Sequence, residues 1–174
     1  MDSKPLTIRD AERSEFPALA ALQIRSWQNV YRGIMPNAYL DHDIEEDMHA
    51  RWASLQPSGD DLVLVAERSE ISGFITIWCK PDPFIDNLHV DPGKRSEGIG
   101  QRLMQSTAHR LRQNGYNSMS LYVAARNERA ANFYRRLGGR FGVVERKHQQ
   151  FGGDVDAIEV IWDDLSSLAS IHLD

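Results

Sequence analysis

The apolar residues Phe16, Leu19, Ala20, Ile24, Trp27 and Tyr31 recur at three- to four-residue spacing, which predicts an amphipathic helix with Ser14 as its cap and Pro17 in its first turn. Gly33 and Pro36 end it. Ile44, Met48, Trp52 and Leu55 mark a second such helix, followed by a loop at Gln56-Pro57-Ser58-Gly59. The pattern then changes to that of strands. Leu62 to Ala66 and Ile71 to Cys79 are rich in β-formers, and the polar Glu67-Arg68-Ser69-Glu70 between them predicts an antiparallel hairpin. Phe84 to Val90 predicts another strand, bounded by Pro81-Asp82-Pro83 and by Asp91-Pro92-Gly93.

Helical spacing returns at Ile99, Leu103, Thr107 and Leu111, so a long helix is expected from Gly98 to Asn114, with Gly115 as its left-handed exit. Ser118 to Val123 predicts a strand. Arg129 to Leu137 predicts a shorter helix that turns Ala130, Phe133 and Leu137 inward and stops at Gly138-Gly139. Phe141 to Arg146 and Val155 to Trp162 form the expected closing hairpin with Gly152-Gly153 at its tip, after which Ser166 to Asp174 are expected to fray. Antiparallel strands at both ends of a strand-helix-strand crossover describe a mixed α/β sheet packed by helices.

With 174 residues, no internal repeat and no linker-like stretch, the whole of 1–174 is expected to form one domain, with its core over residues 5–165. A content of 41% hydrophobic and 26% charged residues is ordinary globular usage and excludes a disordered chain. Apolar runs such as Leu62 to Ala66 fall far short of the roughly 20 residues that cross a bilayer. A formal net charge of -5 opposes general nucleic-acid binding, although a small anion can still bind locally. Met1 to Asp10 lack the apolar middle of a secretory signal and Cys79 is the single cysteine, so the expected compartment is the cytoplasm. Cys79 is expected to be buried and inert. No His-Glu-x-x-His pair occurs and no metal is expected.

The segment from Leu88 to Gly100 reads as a strand, a tight turn and a helix start, with Gly98 and Gly100 opening the backbone and Lys94 and Arg95 adding positive charge. Free amides of a first helical turn, aided by the helix dipole, make such a terminus a seat for phosphate. Leu103 stands where a dinucleotide fingerprint needs a third glycine, and no Gly-Lys-Ser or Gly-Lys-Thr is present for a nucleotide-triphosphate loop. Arg95-Ser96-Glu97-Gly98-Ile99-Gly100 instead resembles the Arg/Gln-x-x-Gly-x-Gly/Ala signature of the GCN5-related N-acetyltransferase superfamily. The run Asn127-x-x-Ala130-x-x-Phe133-Tyr134-x-x-Leu137-Gly138 is similar to that superfamily's second cofactor segment.

The resemblance implies a mostly antiparallel sheet of six to seven strands flanked by about four helices, with central parallel strands that splay to receive the pantetheine arm of acetyl-CoA. It implies cofactor contacts at Leu88, His89, Val90, at Arg95, Ser96, Glu97, Gly98, Ile99, Gly100 and Gln101, and at Asn127 and Tyr134. The implied activity is acetyl transfer to a primary amine of a small molecule or peptide; a non-catalytic acyl-CoA sensor and a transferase of a larger acyl group are the alternatives. The chain can be a homodimer.

A lysine-type amine with a reference pKa of about 10.4 must lose a proton before attacking a thioester, which calls for a carboxylate base. Asp86, on the strand that leads to the thioester, is the first candidate and Glu67 the second, with His89 a weaker one. The Val90 amide is expected to stabilise the oxyanion if the strand bulges there, and Tyr134, by resemblance, to protonate the departing thiolate. Trp27 and Tyr31 share a helix face and are the candidates for contacting the acceptor. The acidic run from Asp41 to Asp47 is expected to be a solvated face.

Overall fold

The computed structural model describes residues 4–149 and 153–170. Seven strands form one mixed sheet: β1 (Thr7–Asp10), β2 (Leu62–Glu67), β3 (Ile71–Trp78), β4 (Phe84–Val90), β5 (Met119–Ala124), β6 (Arg140–Gln149) and β7 (Gly153–Trp162), in the order β1-β2-β3-β4-β5-β7-β6. Every pairing is antiparallel except that of β4 with β5. Five α-helices accompany them: α1 (Phe16–Val30), α2 (Ile44–Ser54), α3 (Ile99–Gln113), α4 (Glu128–Arg136) and α5 (Leu165–Ala169). None of the described helices is long and apolar enough to cross a membrane.

Period-2 alternation divides the core between two faces. Val63, Val65 and Phe74 meet Phe16, Leu19 and Trp52 of α1 and α2, while Leu62, Leu64, Ile75 and Ile77 meet Ile99, Leu103, Leu111 and Tyr134 of α3 and α4. Gly73 on β3 permits the close seating of α3: a Cβ there would stand 3.0 Å from the His89 carbonyl and 3.1 Å from Ile99. Gly115 ends α3 at φ +87, as its left-handed exit requires.

Three local expectations need correction. Ser14 does not cap α1; it lies in a short 3-10 turn (Arg13–Glu15) where Glu12 and Glu15 satisfy each other's backbone donors in a capping box. In α4 the expected inward side is present: Leu137 is buried with Ala131 and Tyr134, and Ala130 and Phe133 are half-buried against the same core. Ser166 to Ala169 are helical rather than frayed, because Leu165 and Leu168 are fully buried in the cluster that contains α3; residues 171–174 and the hairpin tip at Gly152 lie outside the described residues. The bulge in β4 falls at Asp86, since Ile85 opposes Ile77 and Asn87 opposes Thr76, while Val90 pairs regularly with Gly73.

The splayed centre is present. Phe84 opposite Ser120 is the register pair between β4 and β5, supported by the Ser120 amide donating to Pro83 O at 3.1 Å. Beyond it the strands part. The Asp91 amide donates to Ser72 O at 2.8 Å, so antiparallel alternation turns the backbone groups of His89 and Asn87 toward β3 and those of Leu88 and Val90 toward the gap.

Candidate active site

The turn after β4 is built to leave amides free. Asp91 accepts from the Gly93 amide at 2.9 Å and starts a 3-10 turn, and Ser96 (φ +71) and Gly98 (φ +74) then both enter the left-handed region. Such conformations point successive N–H groups to one side, the arrangement of an anion nest, at the amino end of the fifteen-residue α3. A cavity of about 520 Å³ opens there. Leu88, His89, Val90, Arg95, Ser96, Gly98, Gly100, Gln101, Asn127 and Tyr134 line it, as do Arg129, which sequence reasoning passed over, and Arg136, which the sequence assigns with Arg135 to a solvated face.

Electrostatics at this end favour an anion. The Arg95 guanidinium donates to the neutral amide oxygen of Asn29 at 2.5 Å. Burial, with the neighbouring charge of Arg129, lowers its proton affinity from the ordinary arginine value. Two like charges held together this way are relieved by a bound phosphate. Two predicted residues sit elsewhere: Glu97 is exposed and pairs with Arg68 at 2.7 Å, and the Ile99 side chain is buried in the core. Asn127 caps α4, accepting from the Ala130 amide at 3.2 Å.

A second cavity, of about 350 Å³, is lined by Trp27, Tyr31, Asp86 and Tyr122, among others. Tyr31, Leu88, His89, Tyr122 and Tyr134 border both cavities, so the two meet beside the β4–β5 gap. Tyr134 is 8% exposed, and burial raises its hydroxyl pKa above the ordinary phenol value, so it holds its proton at neutral pH. Tyr31 is raised by the same cause.

Asp86 projects into the second cavity from the bulge. It is ion-paired with Arg51 of α2 and accepts from Asn87 Nδ2 at 3.1 Å. A buried relay fixes that amide. The Trp52 indole donates to Gln23 Oε1 at 2.7 Å, Gln23 Nε2 donates to Asn87 Oδ1 at 3.0 Å, and Asn87 Nδ2 also donates to Thr76 Oγ1 at 3.2 Å. Because an indole nitrogen only donates, it sets the direction of every amide after it. Arg51, Gln23 and Asn87 carry no motif, and only their apposition in the fold reveals them.

Glu67 lines neither cavity. Arg9 holds it at 2.9 Å while also binding Glu15, and that contact lowers the Glu67 pKa from the usual carboxylate value. His89 is enclosed by Trp27 and Phe74. Burial, and then Arg95, push its pKa down to about 3, which leaves it neutral. The acidic run lines neither cavity, and Asp41 is paired with Arg32 at 2.5 Å. Cys79 is buried, and its thiol is pushed up to about 11 by burial and by Asp61 and Asp60. No cluster of His, Cys, Asp or Glu suited to a metal occurs among the described residues.

Residues 22–139 match the family model described as Acetyltransferase (GNAT) family. The chain is 25% identical to the uncharacterized N-acetyltransferase YuaI of Bacillus subtilis (strain 168), over 95% of this chain and 98% of YuaI. The PaiA N-acetyltransferase of Thermoplasma acidophilum, solved in complex with coenzyme A, aligns at a TM-score of 0.68 and 22% identity over 89% of this chain and 98% of that one. YncA of Salmonella typhimurium, solved with acetyl-CoA, aligns at a TM-score of 0.63 and 17% identity over 92% of this chain and 94% of that one. The structural likenesses carry the mixed, splayed sheet and the family model carries the relationship: the chain belongs to the Acetyltransferase (GNAT) family.

Proposed function

We propose that the protein transfers the acetyl group of acetyl-CoA to a primary amine by direct attack within a ternary complex. The observation that carries this reading is the meeting of two cavities at Tyr134: one has an anion seat at its far end, and the other holds Asp86. A donor reaching in from one side and an amine from the other would come together beside the same hydroxyl.

The residues present suit the donor. The amides after Arg95, with Arg95 and Arg129, suit its diphosphate, and a Cβ at Gly98 would meet nothing within 4 Å, so the seat is open. The outward backbone groups of Leu88 and Val90 suit the amides of a pantetheine arm, as a sheet edge accepts an added strand. Bound there, acetyl-CoA supplies the activated acyl group.

The chain's own residues would then handle the protons. Asp86, pinned by Arg51 and Asn87, takes the proton from the acceptor ammonium directly or through water. The Val90 amide, turned to the gap without a bulge of its own, is the donor nearest in kind to an oxyanion site. Tyr134, protonated at neutral pH, gives its proton to the departing sulfur.

Calorimetry with acetyl-CoA, followed by measurement of CoA thiol release across a panel of amines, tests the reading. Binding with turnover on at least one amine supports it. Tight binding with no turnover on any amine favours the acyl-CoA sensor, and faster release from longer acyl-CoAs favours a larger acyl group.

A further inference from the structure

The charges around the second cavity are matched one against another. Among the described residues that line it, Asp86 is the one carboxylate and is paired with Arg51, and Lys147 is paired with Glu145 at 2.8 Å. The Lys147 ammonium also stands over the Tyr122 ring, 4.3 Å from its centroid, which holds it against the wall. His89 adds no charge, because it is neutral. A ligand with several cations would find one carboxylate, Asp86, already engaged by Arg51, and desolvating unpaired ammonium groups is costly.

The cavity also offers ring surface beside its polar groups. Trp27 and Tyr31 stand edge to face with centroids 5.1 Å apart, and Phe84 and Tyr122 are tilted at 6.1 Å. Such surfaces bind flat apolar bodies and attract a single ammonium by its interaction with the rings. The volume of about 350 Å³ lies at the small end of ligand sites, suited to a compact molecule.

From this we infer that the acceptor is a small amine of one positive charge on a flat apolar body, of the arylalkylamine class, rather than a polyamine or a lysine-bearing peptide. The inference rests on the acetyltransferase reading and names the substrate class of its acceptor side.

Tryptamine, phenethylamine, spermidine and a short lysine peptide, each at saturating acetyl-CoA, provide the test. The aryl monoamines should exceed spermidine and the peptide at least tenfold in kcat/KM. Trp27→Ala and Phe84→Ala, at rings that line the second cavity and not the first, should each raise KM for tryptamine fivefold or more, with acetyl-CoA affinity unchanged. Preference for spermidine or the peptide, or indifference to both ring substitutions, overturns the assignment. Equilibrium binding of tryptamine and spermidine to the CoA-bound protein, by calorimetry, separates the two ideas. Tryptamine bound tenfold tighter but never acetylated would sink the enzymatic reading and keep the site; no preference for tryptamine would sink the site.

Discussion

The Trp27 indole donates to Nε2 of His89 across 3.1 Å, which forces the proton of the neutral imidazole onto Nδ1, where it is donated to Ser26 Oγ at 2.9 Å. Both ring nitrogens are thereby committed, and a residue that resembled a weak acid-base candidate becomes the anchor of the Trp27 indole.

That arrangement makes stability depend on pH in a defined direction. The His89 pKa is about 3 in the folded chain against an ordinary value of 6.5, so between these values the unfolded chain binds a proton that the folded chain refuses. The contribution is complete above pH 6.5 and is lost as pH falls toward 3. Between pH 7 and 4.5 the native protein should lose about 1–3 kcal/mol more than His89→Gln in denaturant titrations. Equal losses would show that the ring does not carry the effect.

At the phosphate seat the two glycines should respond differently. Gly98 needs its left-handed backbone but has open space, so Gly98→Ala is expected to cost about 1–2 kcal/mol of strain and to weaken acetyl-CoA binding several-fold. At Gly100 a Cβ would meet the Phe133 ring at 3.2 Å, so Gly100→Val should push that wall of the cavity and weaken binding further. Calorimetry that finds both variants unchanged would remove the seat.

Tyr134→Phe keeps the ring contacts with Phe133 and Trp162, at 5.2 and 5.8 Å, and deletes only the hydroxyl. Saturated turnover should fall tenfold or more while acetyl-CoA affinity stays within threefold, roughly the loss of one proton donor. Undiminished kcat rejects its role.

Asn87→Leu strands the Gln23 amide and removes a donor from Asp86. An unsatisfied buried amide costs about 1–3 kcal/mol, visible in chemical denaturation. In an Asp86→Asn background the further effect on kcat should vanish, since in the proposed mechanism Asn87 acts through that carboxylate. Additive losses in the double variant would separate the two residues.

Much of this architecture is legible in the chain. The strand from Phe84 to Val90 has the predicted bounds, and Ile99, Leu103 and Leu111 place α3 because a buried stripe needs that period. β1 escapes notice because four residues with Ile8 as their one large apolar side chain carry too little pattern, and it is pairing with β2 that makes them a strand. Burial of Leu165 and Leu168 likewise depends on α3 being beside them. The proposed phosphate seat is readable because Arg95, Gly98 and Gly100 fall within one short stretch, Arg95 to Gly100. The Asp86 surroundings are not, since Trp52, Gln23 and Arg51 reach it from two helices well before it in the chain, and nothing local records the meeting.

Gly73 touches no cavity lining through a side chain, yet its missing methyl group sets how deeply α3 sinks onto β3 and against the His89 carbonyl. One end of that helix holds the diphosphate in the proposed complex, and β4 borders the gap for the acyl arm. The bare α-carbon therefore acts as a gauge block, fixing the reach between the two ends of a bound thioester from the far side of the strand that reads it.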